Sequence, residues 1–202
     1  MSNSIKNFIA AFSRLPGLGP RAATRLAFYI ADLDRQSLEN LIESLSQMRG
    51  LSRCPKCFSI KDEHRPFCGI CGDGSREPIV AVVEKETDLM TIEKSGAFKG
   101  TYFLIGEIPE DGTPETAQKL RLQYLKKRAS EENIKELLFA LTPSISADLF
   151  YETVIKDLSG AVEKISCLGR GIPTGGEVEF ADPETIRSAI GRRDLFLHNF
   201  RD

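Results

Sequence analysis

From Pro78 onward the sequence alternates short apolar runs with amphipathic stretches, and few folds accommodate that rhythm. Ile79 to Val83 (IVAVV), Thr101 to Ile105 (TYFLI), Glu136 to Leu141 (ELLFAL) and Ala161 to Leu168 (AVEKISCL) read as strands. Between them lie a helical stretch carrying Leu89, Met90 and Ile92, a helix from about Pro114 to Ala129, and a third from Ala147 to Leu158. Strands apolar along their whole length must be covered on both faces. The pattern therefore predicts an α/β fold with a mostly parallel sheet and right-handed crossovers. A glycine-rich stretch, GRGIPTGG, then leads to a terminal helix capped by Asp182 with Pro183 at its first position. With 202 residues, 41% of them hydrophobic, the chain can bury a core of this kind.

Upstream the periodicity is helical. Ile5, Phe8, Ile9 and Phe12 recur at helical spacing, LPGLGP breaks the run, and Ala22 to Ala31 resumes it. A further helix fits Ser37 to Met48, with Leu38, Leu41, Ile42 and Leu45 on one face, so that three helices are expected to form a small bundle. Residues 53–76 are polar, aperiodic and rich in Cys, Gly and Pro, as a metal-held loop is. The resulting division is a helical region at 1–52, a cysteine-rich segment at 53–77, an α/β domain at 78–172 and a C-terminal segment at 173–202. No run approaches the roughly 18 apolar residues of a membrane span. MSNSIKNF lacks the charged-then-apolar pattern of a secretory leader, and the expected location is cytoplasmic.

Five cysteines without an export signal argue against a disulfide framework. Cys54 and Cys57 form one CxxC, Cys68 and Cys71 a second, with ten residues between the pairs. Two thiolates on a tight turn can reach one ion, and two such knuckles close a tetrahedron with no open position. That pattern predicts one structural Zn²⁺ per chain, ordering a segment too polar to fold by burial alone. An iron–sulfur cluster uses the same ligands; a redox pair fits less well, because neither CxxC opens a helix after a strand. His64 lies between the knuckles among charged neighbours and reads as a solvent-exposed imidazole. Cys167, alone in an apolar run, reads as a buried small hydrophobe.

Net charge is −2, which gives no global case for a polyanionic partner. Its distribution is uneven: Lys6, Arg14, Arg21 and Arg25 precede Asp32, with no acid among them. In LPGLGPRAATRLAFYI, Gly17 and Gly19 fall in a turn between helices, with Pro20 near the start of the second. Such a turn admits a ligand close to the backbone and aims free amides at it from the positive end of a helix. Arg21 and Arg25, four apart, share a face and can flank a phosphate, contacting nucleic acid independently of sequence. Read from pattern alone, the same turn is also an ordinary corner between two helices.

LPGLGPRAATRLAFYI resembles the helix-hairpin-helix of the RecR family. The resemblance runs on in order through the four-cysteine finger, a TOPRIM-like domain beginning AVVEKETDLMTIEKSGAFKGTYFLIG, and the C-terminal GRGIPTGGEVEFADPETIRSAIGRR. It implies a non-enzymatic recombination mediator that assembles as a homo-oligomer, a dimer or ring-like tetramer, around DNA. It also implies work with a RecO-type partner, and in some bacteria a RecF-type one, to load RecA on gapped DNA coated with single-strand binding protein. On this resemblance Arg21 and Arg25, with Gly17 and Gly19, fall at the DNA-binding hairpin. Cys54, Cys57, Cys68 and Cys71 fall on the zinc ligands, and Glu84 and Asp88 on acidic positions of a partner-facing surface. Two stretches depart from the family: residues 142–148 (TPSISAD) lack one acid and the glycine of the usual NPTxEGE-like segment, and GEIPEDGTPE replaces a form rich in Gly-Gly and Ser-Pro.

Catalytic TOPRIM proteins hold Mg²⁺ with clustered carboxylates. A Mg²⁺-dependent nuclease using Glu84 is therefore the competing reading, although Asp148 is the one acid in the later segment and no nucleophile is evident. A third reading is an interaction module without DNA affinity of its own. GRGIPTGG lacks the Gly-Lys-Ser/Thr of a phosphate loop; Gly175 and Gly176 are expected to set a turn, with Arg170 on the surface. In the tail, Leu195, Phe196, Leu197 and Phe200 read as an oligomer contact or a fold-back onto the core.

Overall fold

The computed structural model describes residues 1–191, so the four apolar tail positions at 195, 196, 197 and 200 lie outside the described residues. The chain divides into two compact units, one covering Met1–Leu51 and the other beginning at Ser52.

The first unit holds α1 (Asn3–Phe12), α2 (Pro20–Ala31) and α3 (Arg35–Gln47). Each helix begins as its sequence dictates. The Ser2 side chain accepts the Ile5 amide, Gly19 and Pro20 open α2, and the Asp34 carboxylate accepts the Ser37 amide. Ala23 and Ala27 are the buried positions of α2, and their small size lets α1 and α2 pack closely. The expected three-helix bundle is only partly formed: Ile42, Leu45 and Met48 stay exposed, so the apolar stripe of α3 is not spent on the hairpin.

Two three-residue strands, β1 (Leu51–Arg53), which begins at the last residue of the first unit, and β2 (Ile60–Asp62), pair with each other around the first cysteine pair. Strands this short carry no legible periodicity, which is why the sequence reads as loop there. The main sheet is parallel, with β3 (Ile79–Val83), β4 (Thr101–Leu104), β5 (Glu136–Phe139) and β6 (Lys164–Cys167) in the order β4-β3-β5-β6.

The helices α4 (Glu86–Ser95), α5 (Thr116–Glu131) and α6 (Ile145–Leu158) connect these strands, and α7 (Pro183–Gly191) follows. The first crossover runs from β3 to β4 and the next two run the opposite way across the sheet. A fixed hand then requires α4 on one face and α5 and α6 on the other. The core is divided accordingly. Ala81, Val83, Tyr102 and Leu104 pack with Leu89 of α4, while Val80, Val82, Phe103, Leu137 and Phe139 pack with Leu125 of α5 and Phe150 and Val154 of α6.

At the far edge the expectation needs correction. The strand predicted for residues 161–168 shrinks to Lys164–Cys167, and Cys167 is half-buried instead of buried. An edge strand has a neighbour on one side only, so its side chains lose part of the cover that those of β3 enjoy. The terminal helix begins as expected: the Asp182 carboxylate accepts the amides of Glu184 and Thr185, and Pro183 holds the first position.

Candidate metal centre and nucleic-acid interface

The turn between α1 and α2 is built by the residues that the sequence singles out. Gly17 takes φ +75, a left-handed conformation that favours glycine, and the Leu18 amide closes back on the Leu15 carbonyl. Gly19 is extended and no side chain caps α2, while Pro20 has no amide to offer. The following first-turn amides are thus left at the positive end of the helix. Arg21 and Arg25 are both exposed, one helical turn apart, next to this end. Phe8 and Phe12 stack with ring centroids 3.9 Å apart and stiffen α1 behind the turn.

Cys54, Cys57, Cys68 and Cys71 converge with all four sulfurs within 4.8 Å of one another. An ion about 2.3 Å from each sulfur in a tetrahedron places neighbouring sulfurs about 3.8 Å apart. The Cys57 to Cys68 distance is 3.6 Å. Backbone amides support the sulfurs: the Cys68 amide donates to the Cys54 Sγ at 3.5 Å and the Cys71 amide to the Cys68 Sγ at 3.3 Å. The donors therefore fit a thiophilic dication.

Cys68 accepts hydrogen bonds from Cys57 and Cys71 and is held far below an ordinary thiol. The bond to Cys68 pushes Cys57 up to about 12, and bonds to its neighbours together with burial push Cys71 up as well. A dication bound here would favour the thiolate form of the cysteines that hold it. The four cysteines can hold a metal ion. His64 is exposed and not part of the group.

The first knuckle is seated on the edge of the main sheet. The Leu104 amide of β4 donates to the Cys57 carbonyl at 2.9 Å, so the knuckle occupies the place of a further strand. Arg128 of α5, 4% exposed, donates to the carbonyls of Lys56 (3.1 Å) and Tyr102 (3.3 Å), to Thr101 Oγ1 (3.0 Å) and to Glu132 (2.9 Å). Arg121 donates to the Leu104 carbonyl at 3.1 Å and lies over the Phe58 ring. Glu86, at the start of α4, accepts from Arg53 and from the Ile60 amide at 2.7 and 2.8 Å, tying down both short strands.

At the carboxyl ends of β3 and β5 the outgoing connections diverge to opposite faces, which makes a crevice where α/β proteins commonly bind ligands. Glu84 stands there, half-buried, and accepts the Thr142 amide at 2.9 Å, joining the two strand ends. Asp88 accepts the Lys85 amide at 3.2 Å as part of the first turn of α4. Asp148 pairs with Arg170, whose side chain is half-buried by that contact, where the surface was expected. Among the described residues the cysteines are the one group of three or more metal-type side chains with converging donor atoms, and Glu84, Asp88 and Asp148 do not form another.

Two family models match, described as RecR, helix-hairpin-helix, over residues 5–49 and RecR, C-terminal, over residues 171–193. Proteins named Recombination protein RecR align along almost the whole chain. That of Chloroflexus aggregans is 33% identical, covering 95% of this chain and 94% of its own. That of Rickettsia massiliae is 35% identical, covering 96% of each, and that of Rickettsia bellii is 34% identical, covering 96% and 98%. The chain belongs to the RecR family. The first RecR model covers most of α1 and all of α2 and α3, and the second covers most of the glycine-rich stretch and α7.

Loop 106–115 and segment 142–148 meet in space. Ser146 donates to the Glu110 carbonyl at 2.7 Å, and Gly112 lies against the first turns of α6, so loop 106–115 and segment 142–148 are shaped to each other. Arg128, Arg121 and Glu86 were not singled out from sequence. Arg128 had a signal: with Gln118, Leu122, Leu125 and Ala129 it completes the buried stripe of α5, although LKKR reads as a solvated run.

Proposed function

We propose that this chain acts in recombinational DNA repair as a non-enzymatic mediator that binds the DNA backbone through its helical hairpin. The observation that carries the reading is the coincidence of the RecR helix-hairpin-helix match at 5–49 with a left-handed Gly17, an uncapped helix start and two exposed arginines. The contact is to phosphate and is indifferent to base sequence. Zn²⁺ is the ion proposed for Cys54, Cys57, Cys68 and Cys71, as a closed and structural site. The helical, finger, α/β and C-terminal segments divide at 52, 77 and 172 in this reading. The mediator is cytoplasmic, forms a homo-oligomer and acts with a RecO-type partner, in some bacteria also a RecF-type one, to load RecA on gapped DNA. Glu84 and Asp88 lie on the surface offered to that partner.

Fluorescence anisotropy of a labelled gapped DNA over a salt series, with zinc-loaded protein and Mg²⁺ present, tests this reading. Arg21→Ala/Arg25→Ala is expected to weaken binding and to shallow the dependence of log affinity on log salt by about 0.9 per lost phosphate contact, about 1.8 for both arginines on duplex. The DNA is expected to remain intact. Equal binding by the double mutant would remove DNA from the hairpin, and cleavage abolished by Glu84→Ala would establish an enzyme.

A further inference from the structure

The edge strand β4 exposes backbone groups that an isolated sheet would leave to solvent or to another chain. Here they are answered by an unusual set of partners. The Leu104 amide is taken by the Cys57 carbonyl, the Leu104 carbonyl by Arg121, and the Tyr102 carbonyl by Arg128. One Nη of Arg128 reaches both sides of this junction, donating to the Lys56 carbonyl inside the first knuckle and to the Tyr102 carbonyl on the strand. Lys56 itself is drawn to the same place by its ion pair with Glu132, at 2.7 Å. Burial by itself would raise the Glu132 carboxyl; hydrogen bonds from Lys56 and Arg128 outweigh it and hold the group below the usual carboxylate range.

A guanidinium excluded from water must find acceptors, and these are fixed by the sheet and by the knuckle together. Arg128 thus measures whether the knuckle is in place.

We propose that Arg128 is a positioning residue for the metal site, holding the Lys56 carbonyl against β4 so that Cys54 and Cys57 are preset for the ion. The same contacts make the knuckle a cover for the sheet edge that stays closed while the cysteines are ligated. The inference rests on the reading of the four cysteines as a metal site. Outer-shell groups that orient ligands commonly alter metal affinity by 10–100-fold when removed, without touching the ion. Lysine cannot replace this guanidinium, because one ammonium lacks the planar fork that reaches two carbonyls and a hydroxyl at once.

The test has two arms on the full chain. In the first, Zn²⁺ affinity is measured by competition with a chromophoric chelator for wild type, Arg128→Lys, Arg128→Ala and Phe150→Ala. Phe150, on α6, is fully buried in the core on one face of the sheet, and its truncation lowers stability while leaving the hydrogen bonds that seat the knuckle, none of which involves Phe150, in place. Both Arg128 variants are expected to lose about 10–100-fold in affinity while Phe150→Ala retains the wild-type value. In the second arm, amide exchange is followed in wild type with Zn²⁺ and after chelation. The Leu104 amide, bonded to Cys57, is expected to exchange faster once the ion is removed, whereas the adjacent Ile105 amide, bonded to the Val83 carbonyl of β3, stays protected.

Unchanged affinity in a folded Arg128→Lys, or an equal loss in Phe150→Ala, overturns the proposal. So does Leu104 exchange that ignores the ion, an arm that needs no variant to fold. A wild-type chain that takes up no Zn²⁺ overturns the metal reading itself and is distinguished by its zero stoichiometry.

Discussion

Gly112 offers a measurement of how tightly loop 106–115 is seated on α6. Its φ is +68, and a Cβ there would fall 2.5 Å from the Leu149 Cβ, 2.7 Å from the Ser146 carbonyl oxygen and 3.0 Å from the Phe150 amide nitrogen. Gly160, in the same unit, also has a positive φ, +89, but its Cβ would meet nothing within 4 Å. Gly112→Ala and Gly160→Ala therefore share two contributions. A left-handed backbone costs an alanine about 1–2 kcal/mol, and the stiffer unfolded chain returns about 0.4–1 kcal/mol. Only Gly112→Ala adds overpacking against α6 backbone that cannot step aside, worth about 1–3 kcal/mol. The difference between the variants isolates that last contribution. At about 2–4 °C per kcal/mol for a unit of this size, Gly112→Ala is expected to melt about 2–12 °C below Gly160→Ala. The chain has no tryptophan, so far-UV circular dichroism in heat and in urea is the suitable readout. Equal stability of the two variants would refute the close seating of the loop.

Glu93 of α4 accepts from Arg76 at 3.1 Å and from the Tyr102 hydroxyl at 2.8 Å, and the Arg76 guanidinium holds its carboxyl below the usual carboxylate range. A carboxylate depressed in the folded state contributes stability that is present above its unfolded pKa and is lost as pH falls through the folded value. Glu93→Gln is accordingly expected to flatten the acid limb of a stability–pH curve; an unaltered limb would show the pair to be inconsequential. Elemental analysis of purified protein is expected to give one Zn²⁺ per chain in wild type and in Cys167→Ser and a deficit in Cys54→Ser, with retention in Cys54→Ser counting against the four-cysteine site.

The sheet was legible because β3, β4 and β5 are apolar on both faces, a pattern that burial on two sides enforces and that a surface strand cannot mimic. Its edges were less so. Ala161 to Leu168 is apolar at both ends, yet among the described residues β6 pairs with β5 alone, and Glu163 and Lys164 in the middle of the run are the charges by which an edge strand could have been told from a central one. The convergence of the cysteines could be read from spacing, since two CxxC turns can satisfy one tetrahedron wherever they lie in the chain. Their attachment to β4 could not, because it depends on Arg128, 57 residues after Cys71. Charge dominates a sequence reading of Lys126, Lys127 and Arg128, while register along α5 decides which of the three turns inward. For the hairpin, Gly17 and Pro20 marked the turn correctly, and the exposed stripe of α3 was missed because apolar periodicity predicts a face without saying what covers it.

The buried face of α2 carries nothing larger than a methyl group, since Ala23 and Ala27 are its two buried side chains. Larger side chains at either position would wedge the pair apart and tilt the first turn of α2 together with Arg21. In the phosphate contact proposed for this hairpin, the grip is therefore adjustable from behind, by the girth of buried residues, and two chains with identical arginines can differ in how squarely they present them.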